Sequence, residues 1–427
     1  MQNRVQKKKK ISLTTMIFIA LLAGALTGVI INYLIPSNYV VDDIIVQGVF
    51  YIVGQGFIRL MRMLVVPLVF CSIVCGSMAV GDTKKLGSVG VKILIFYLCT
   101  TALAITIALT IANIFNPGKG LDMSQIQVTS TVSETTQSMS MTETLLDIIP
   151  VNIFNSLSEG NMLQIIVFAL ILGVILANMG DRVDIVKNFF GQFNDIMMEM
   201  TMAVMKLAPI GVFCLIAKTF AEIGFEVFIP LLKYMFCVLL ALAVQCFVVY
   251  LGLLKIFSGL NPFIFIKNFF PVMAFAFSTS TSNATIPMNI DTLAEKMGVS
   301  KKISSFTIPL GATINMDGTS IMQGVAVVFT AQAFGIPLDM MDYLTVIGTA
   351  TLASIGTAGV PSVGLITLTM VFNSVGLPIE GIALIMGIDR ILDMTRTAVN
   401  ITGDAVCTTI VASWNKAVDR DVYYNRK

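Results

Sequence analysis

The chain has 427 residues, 56% of them hydrophobic and 12% charged, with 27 Lys and Arg against 25 Asp and Glu. A soluble domain carries about 25% charged residues, so this is a polytopic membrane protein, and its net charge of +2 points to no nucleic-acid partner. Histidine is absent altogether, which removes the commonest metal ligand and general base and argues against a zinc enzyme or a Ser-His hydrolase in the membrane.

Met1 to Lys10 is basic, and Ile11 to Ile35 follows as an uncharged apolar run. The run is too long for a signal peptide and lacks a small-x-small cleavage site, so it reads as a first transmembrane helix with a cytoplasmic N-terminus. Further apolar runs fall at about 44–80, 88–116, 147–178, 195–222 and 227–257. Basic residues cluster in alternate connections (Lys84 and Lys85, Arg182 and Lys187, Lys255 and Lys267, Lys301 and Lys302, Lys416 and Arg420), while the others carry acids such as Asp42, Asp43, Glu134 and Asp339. This positive-inside pattern puts both termini in the cytoplasm. The Ser/Thr-rich stretch 124–144 has no periodicity and reads as a flexible extracellular connection. The seven cysteines, an odd number without framework spacing, lie in apolar runs and read as free buried thiols.

After about residue 258 the pattern changes. Asn261 to Val299 and Pro337 to Pro378 are each long enough to enter a membrane, but a polar tip interrupts both: Phe277 to Pro287 (FSTSTSNATIP) and Ser354 to Pro361 (SIGTAGVP). Irregular backbone at membrane depth is tolerated only where protein or water surrounds it, so each segment is expected to be a re-entrant helical hairpin. Each precedes a long helix with buried polar groups, Thr307 to Phe334 in the first case and the segment around Asp389 to Asp404 in the second. Pro287 lies 30 residues before Asp317 and Pro361 lies 32 before Asp393. The unit is written twice, in opposite topology, which in transporters marks a midplane binding site.

The second long helix carries the strongest signal. At 100° per residue, Asp389, Asp393, Arg396, Thr397, Asn400 and Asp404 fall within an arc of about 100°. Buried charges are by default a functional-site hypothesis. The rival is a structural Asp393–Arg396 pair pinning two helices, but three carboxylates are too many for one arginine, and the surplus suggests that cations come and go.

PLGATINMDGT (Pro309 to Thr319), ASIGTAGVP (Ala353 to Pro361) and LDMTRTAVNITGD (Leu392 to Asp404), with YLCTT (Tyr97 to Thr101) and LAPIGVF (Leu207 to Phe213), make the chain resemble the dicarboxylate/amino acid:cation symporters. That family includes bacterial and archaeal glutamate and aspartate transporters and the mammalian excitatory amino acid transporters. The resemblance implies an all-α fold of eight transmembrane helices plus two re-entrant hairpins with inverted repeats, assembled as a homotrimer in the cytoplasmic membrane. It further implies a scaffold at 11–80 and 147–224 and a transport domain at 86–117 and 225–414 that moves like an elevator. The remainder is the basic N-terminus 1–10, an extracellular loop at 118–146 and a cytoplasmic tail at 415–427.

An acidic amino acid needs an anion for its ammonium, a bidentate cation for one carboxylate, and amides or hydroxyls for the other. Asp393 is the natural ammonium partner, Arg396 grips the side-chain carboxylate, and Thr397 and Asn400 line the α-carboxyl end. The resemblance adds Ser280, Ser282, Thr319, Val360 and Gly364. It also implies three sodium sites: Asp404 with the carbonyls of Gly311, Asn315 and Asn400; Thr313 with the carbonyls of Ser354, Ile355 and Thr357; and Tyr97, Thr100, Thr101, the Asn315 side chain and Asp317. Sodium is thus the expected coupling ion, with no cofactor, and protons are the alternative. Archaeal members have an arginine at the position of Ser280 and eukaryotic members at that of Met394; this chain has neither, and Arg390, next to Asp389, is expected to substitute in part. A C4-dicarboxylate symporter and an ion channel with hairpin-built filters are the rival functions. One methylene does not separate glutamate from aspartate by sequence.

Overall fold

The computed structural model describes residues 13–81, 88–121, 149–224, 228–355 and 363–424. The basic N-terminus, Lys84 and Lys85, the whole Ser/Thr-rich connection at 124–144, and Thr357 and Val360 lie outside the described residues. Among those described there is no strand, a single isolated bridge joining Val299 and Val418.

The first half matches the apolar runs with two differences. Helix α1 is Leu13–Leu34, and a π-helical lead-in at Val40–Phe50 runs into α2 (Tyr51–Gly81), followed by α3 (Ser88–Phe115). The run at 147–178 is a short α4 (Ile153–Glu159), capped by the Asn152 side chain and ended by Gly160 at φ 73°, and then α5 (Met162–Met179). The run at 195–222 is also two helices, α6 (Asp184–Met205) and α7 (Ala208–Ile223). The break falls at Lys206 and Leu207, with Pro209 in the first turn of α7, where its missing N–H costs nothing. The polar start of α6 is what hid its first turns from a search for apolar runs.

Helix α8 (Phe228–Ser258) is continuous but π-helical over Val244–Tyr250. Next come two arms, α9 (Pro262–Thr279) and α10 (Ser282–Met297), packed on one another and joined by Ser280 and Thr281 alone. Ser280 takes the left-handed conformation at φ 52°, uncommon for a residue with a Cβ. The helix expected at Thr307 to Phe334 begins earlier and is broken: α11 (Lys301–Ile314) and α12 (Asp317–Ala333) are separated by Asn315 and Met316. Helices α13 (Met340–Ser354) and α14 (Val363–Ser374) form the second pair of arms, α13 starting from a capping box of Asp339 and Asp342. Helix α15 (Gly381–Trp414) has 34 residues, roughly 50 Å at 1.5 Å per residue.

The helices pack as two groups. In one, α1 lies along α7, and α2 packs against α5, α6 and α7; in the other, α3, α8, α9, α11 and α12 surround α15. Among the described residues six helical segments are long and apolar enough to cross a membrane, and α12 and α15 are not among them. Their polar residues are instead enclosed by the other helices. Outward faces are apolar, as at Leu22, Leu26, Ile52, Ile185 and Phe263. Five cysteines are buried as expected, but Cys75 is only partly so and Cys99 is exposed. The described part of the tail is pinned to the base of the first pair of arms: Asp419 N–H donates to the Gly298 carbonyl at 2.8 Å, Ser300 N–H to Ala417 at 2.9 Å, and the Tyr423 hydroxyl to Asn261 at 2.8 Å.

Candidate substrate and cation site

Two polar centres lie on α15, one helical turn apart. The first holds Asp389, Arg390, Asp393 and Arg396. Arg396 has a side chain only 1% exposed, with Nη2 2.8 Å from Asp393 Oδ1 and Nη1 2.9 Å from Asp389 Oδ1. Arg390 Nη1 reaches the other oxygen of Asp393 at 3.3 Å. Spacings of three and seven residues bring these groups onto one side of the helix. Two cations thus meet two anions, so the pairing is richer than the single Asp393–Arg396 contact.

Arg396 is nonetheless not saturated. Nη2 donates to Asp393 and Nη1 is ion-paired with Asp389, while Nε makes no hydrogen bond among the described residues. Nε is the guanidinium donor left for a carboxylate ligand. Gly364 of α14 closes over this point: a Cβ there would lie 3.3 Å from Arg396 Nη2 and 3.1 Å from Thr319 Cγ2. Arg396, Thr319 and Gly364 are therefore brought together. The Thr397 hydroxyl turns back to the Asp393 carbonyl at 2.8 Å. Ser280 and Ser282 are buried at the meeting of α9 and α10, which both pack on α15, and the Ser280 hydroxyl has no hydrogen-bond partner among the described residues.

The second centre forms where the break between α11 and α12 meets α15. Asn315 Nδ2 donates to the Asn400 carbonyl at 3.0 Å and to Asp404 Oδ1 at 2.9 Å. Asn400 Oδ1 in turn accepts the Gly318 N–H at 2.7 Å, so one broken helix end is stitched to α15 from both sides. A Cβ on Gly311 would lie 2.5 Å from Asp404 Oδ1 and 2.6 Å from the Tyr97 hydroxyl, which places these two oxygens side by side. Asp317 Oδ1 accepts the Thr101 hydroxyl at 2.5 Å, and the Thr100 and Thr101 hydroxyls both reach the Tyr97 carbonyl. Among the described residues, Asp404 Oδ2, Asn315 Oδ1 and the Tyr97 hydroxyl are buried without a hydrogen-bond partner. Oxygen atoms of this kind, two of them flanked by carboxylates, suit a hard monovalent cation.

Of the remaining set, Thr357 lies outside the described residues. Among the described residues the Thr313 hydroxyl bonds to the Leu310 carbonyl at 2.9 Å and the Ser354 hydroxyl to Thr351 at 2.7 Å, each within its own helix. The Ile355 N–H bonds to Leu352.

Three participants escaped sequence reasoning. Gln245 Nε2 and the Tyr250 hydroxyl donate to Asp317 Oδ2 at 2.9 and 2.7 Å. Five residues apart, they would diverge by about 140° on an α-helix. The π-helical turn of α8, bonded i to i+5, brings them onto one face. The third, Tyr234, is fully buried within electrostatic reach of Arg396 and Asp389, its hydroxyl without a hydrogen-bond partner among the described residues. A polar residue in a long apolar helix was the available signal for each.

A sequence model described as "Sodium:dicarboxylate symporter family" matches residues 13–414. The chain belongs to this family. It is therefore a symporter and not an enzyme, a multi-pass protein of the cytoplasmic membrane that carries a small molecule. It is 39% identical over 411 residues to the "Proton/sodium-glutamate symport protein" of Bacillus caldotenax, covering 95% of each chain. It is 36% identical over 422 residues to the "Proton/glutamate-aspartate symporter" of Escherichia coli, covering 97% of this chain and 95% of the relative. Against the "C4-dicarboxylate transport protein 1" of Ralstonia nicotianae the identity is 32% over 409 residues, with coverage of 95% and 93%. In this symporter family member the motif residues of α11, α12 and α15 are the ones that line the two centres.

Proposed function

We propose that the protein takes up glutamate and aspartate by sodium-coupled symport, through an elevator movement of a transport domain against a trimeric scaffold. The observation that carries this reading is the buried guanidinium of Arg396, whose Nε makes no hydrogen bond among the described residues, beside a carboxylate, Asp393. A ligand that offers a carboxylate to the first and an ammonium to the second satisfies both. The glutamate symporters among the relatives support the same substrate class.

The substrate's second carboxylate is assigned to Thr397 and Asn400, the Ser280 and Ser282 tip, Thr319, and the second tip around Val360 and Gly364. Sodium is assigned to Asp404 with Gly311, Asn315 and Asn400, and to Tyr97, Thr100, Thr101 and Asp317. A further sodium site is assigned to Thr313 with Ser354, Ile355 and Thr357. The two packed groups of helices correspond to the scaffold and the moving domain, and both termini are cytoplasmic.

One observation favours protons instead. Asp317 already accepts three hydrogen bonds, which leaves it fewer lone pairs for sodium. The deciding experiment is uptake of labelled glutamate and aspartate by purified protein in liposomes with sodium, proton and potassium gradients imposed separately. Accumulation that requires the sodium gradient is expected; accumulation that follows a pH gradient and ignores sodium overturns sodium coupling. Flux without saturation or accumulation would point to a channel.

A further inference from the structure

Asp393 has a second cation of its own. Arg390, one turn earlier on α15, lies 3.3 Å from Asp393 Oδ2, and the two side chains are only 11% and 9% exposed. Asp393 Oδ1 is already held by Arg396. The oxygen facing Arg390 is thus the one for which a substrate ammonium would compete. Together Asp389, Arg390, Asp393 and Arg396 form a neutral chain of alternating charge before any ligand arrives.

We propose that Arg390 is a specificity-determining residue, an internal stand-in for the substrate ammonium. This inference rests on the reading of the site as one for acidic amino acids. An amino acid displaces Arg390 from Asp393. A C4-dicarboxylate brings no ammonium, and in a site whose acid depended on the substrate for its partner it would leave a buried carboxylate uncompensated, which is strongly unfavourable. Here Arg390 stays on Asp393, Arg396 still receives one carboxylate, and the dicarboxylate is accommodated. The arginine therefore acts in opposite directions on two substrate classes. It competes with the ammonium of aspartate and permits succinate.

The test is competition against labelled aspartate by unlabelled succinate, and direct uptake of labelled succinate, using the full-length protein in liposomes. In the parent protein succinate is expected to compete with an inhibition constant within about 100-fold of the aspartate affinity. In Arg390→Ala, succinate should weaken by about tenfold or more while aspartate tightens by a few-fold, because the ammonium no longer displaces a guanidinium. Arg390→Lys, which keeps the charge, should recover part of the succinate response and guards against a variant that fails to fold. Equal weakening of both substrates in Arg390→Ala would make the residue structural and overturn the proposal. So would a parent protein that accumulates aspartate but is blind to a thousandfold excess of succinate, an outcome that leaves the amino acid reading standing. Accumulation of succinate without any of aspartate, lost in Arg390→Ala, would instead overturn the amino acid reading and support Arg390 as the permanent partner of Asp393.

Discussion

Asn400 Oδ1 accepts the Gly318 N–H at 2.7 Å, and this bond fixes where the charged face of α15 meets the broken start of α12. The Asn400 carbonyl meanwhile accepts from Asn315, which also holds Asp404. One asparagine therefore borders both centres. Between Arg396 and Asp404 the axial distance is about 12 Å at 1.5 Å per residue, short enough for a ligand at one centre to bias the packing at the other.

Arg396→Cys is expected to abolish uptake of glutamate and aspartate and to permit uptake of a neutral amino acid such as serine. The buried cation disappears, and with it the penalty of about 3–5 kcal/mol for leaving a buried charge unpaired beside an uncharged side chain. Competition of labelled serine uptake by aspartate measures this. Unchanged aspartate affinity in the variant would remove Arg396 from the substrate site.

Asp393→Asn should remove amino acid transport without unfolding the protein. The amide keeps the size and one acceptor oxygen but loses the charge that binds an ammonium, and Asp389 remains 2.9 Å from Arg396 as its counter-charge. Binding by calorimetry, alongside size-exclusion chromatography of the purified variant, separates lost affinity from lost assembly. Wild-type binding would show that Asp393 is structural.

Asp404→Asn should flatten the dependence of aspartate affinity on sodium. If ion and substrate favour the same arrangement, each raises the affinity for the other by the same factor. A neutral amide still supplies an oxygen but forfeits the charge that offsets dehydration of the ion. A calorimetric series over sodium at fixed ionic strength reads the slope. A slope equal to that of the parent protein excludes Asp404 as an ion ligand.

Tyr250→Phe removes one of three donors to Asp317. An unmet buried carboxylate lone pair costs about 1–3 kcal/mol. Thermal unfolding in detergent should therefore drop more in sodium-free buffer than at saturating sodium, where the ion replaces the lost donor. An equal drop in both buffers would place the coupling ion elsewhere than Asp317.

Gly318→Ala is expected to be more damaging than Gly364→Ala. A Cβ on Gly318 would lie 2.8 Å from the Arg396 carbonyl oxygen and 3.0 Å from its Cα, both backbone atoms of α15 that cannot step aside. At Gly364 the nearest atoms are the ends of Thr319, Met322 and Arg396 side chains at 3.1–3.3 Å, which can shift. The first variant should lose both folding yield and binding, and the second should lose substrate affinity with stability largely kept. Equal thermal stability of Gly318→Ala and the parent protein would show that α12 and α15 are free to separate.

The sequence by itself determined the membrane class, the two interrupted segments and the polar face of α15. Each follows from what hydrocarbon does to a chain: apolar runs must be long, irregular backbone must be sheltered, and charges must face inward. It also located Asp393, Arg396, Asn315, Asp317 and Asp404, because a strongly polar or ionisable group in an apolar helix stands out along the chain. Tertiary structure decided which atoms meet. The unwound step at Asn315 and Met316 was invisible as a break, since its stability comes from Asn400 and Asp404 on another helix and not from local propensity. Gln245 and Tyr250 converge on Asp317 only because α8 is π-helical there, a departure from the 3.6-residue period on which sequence patterns rest. The pairing of Arg390 with Asp393 was equally beyond sequence. The spacing allows Arg390 to pair with either neighbouring acid, and Arg396, already committed to Asp389 and to one Asp393 oxygen, leaves the other for Arg390.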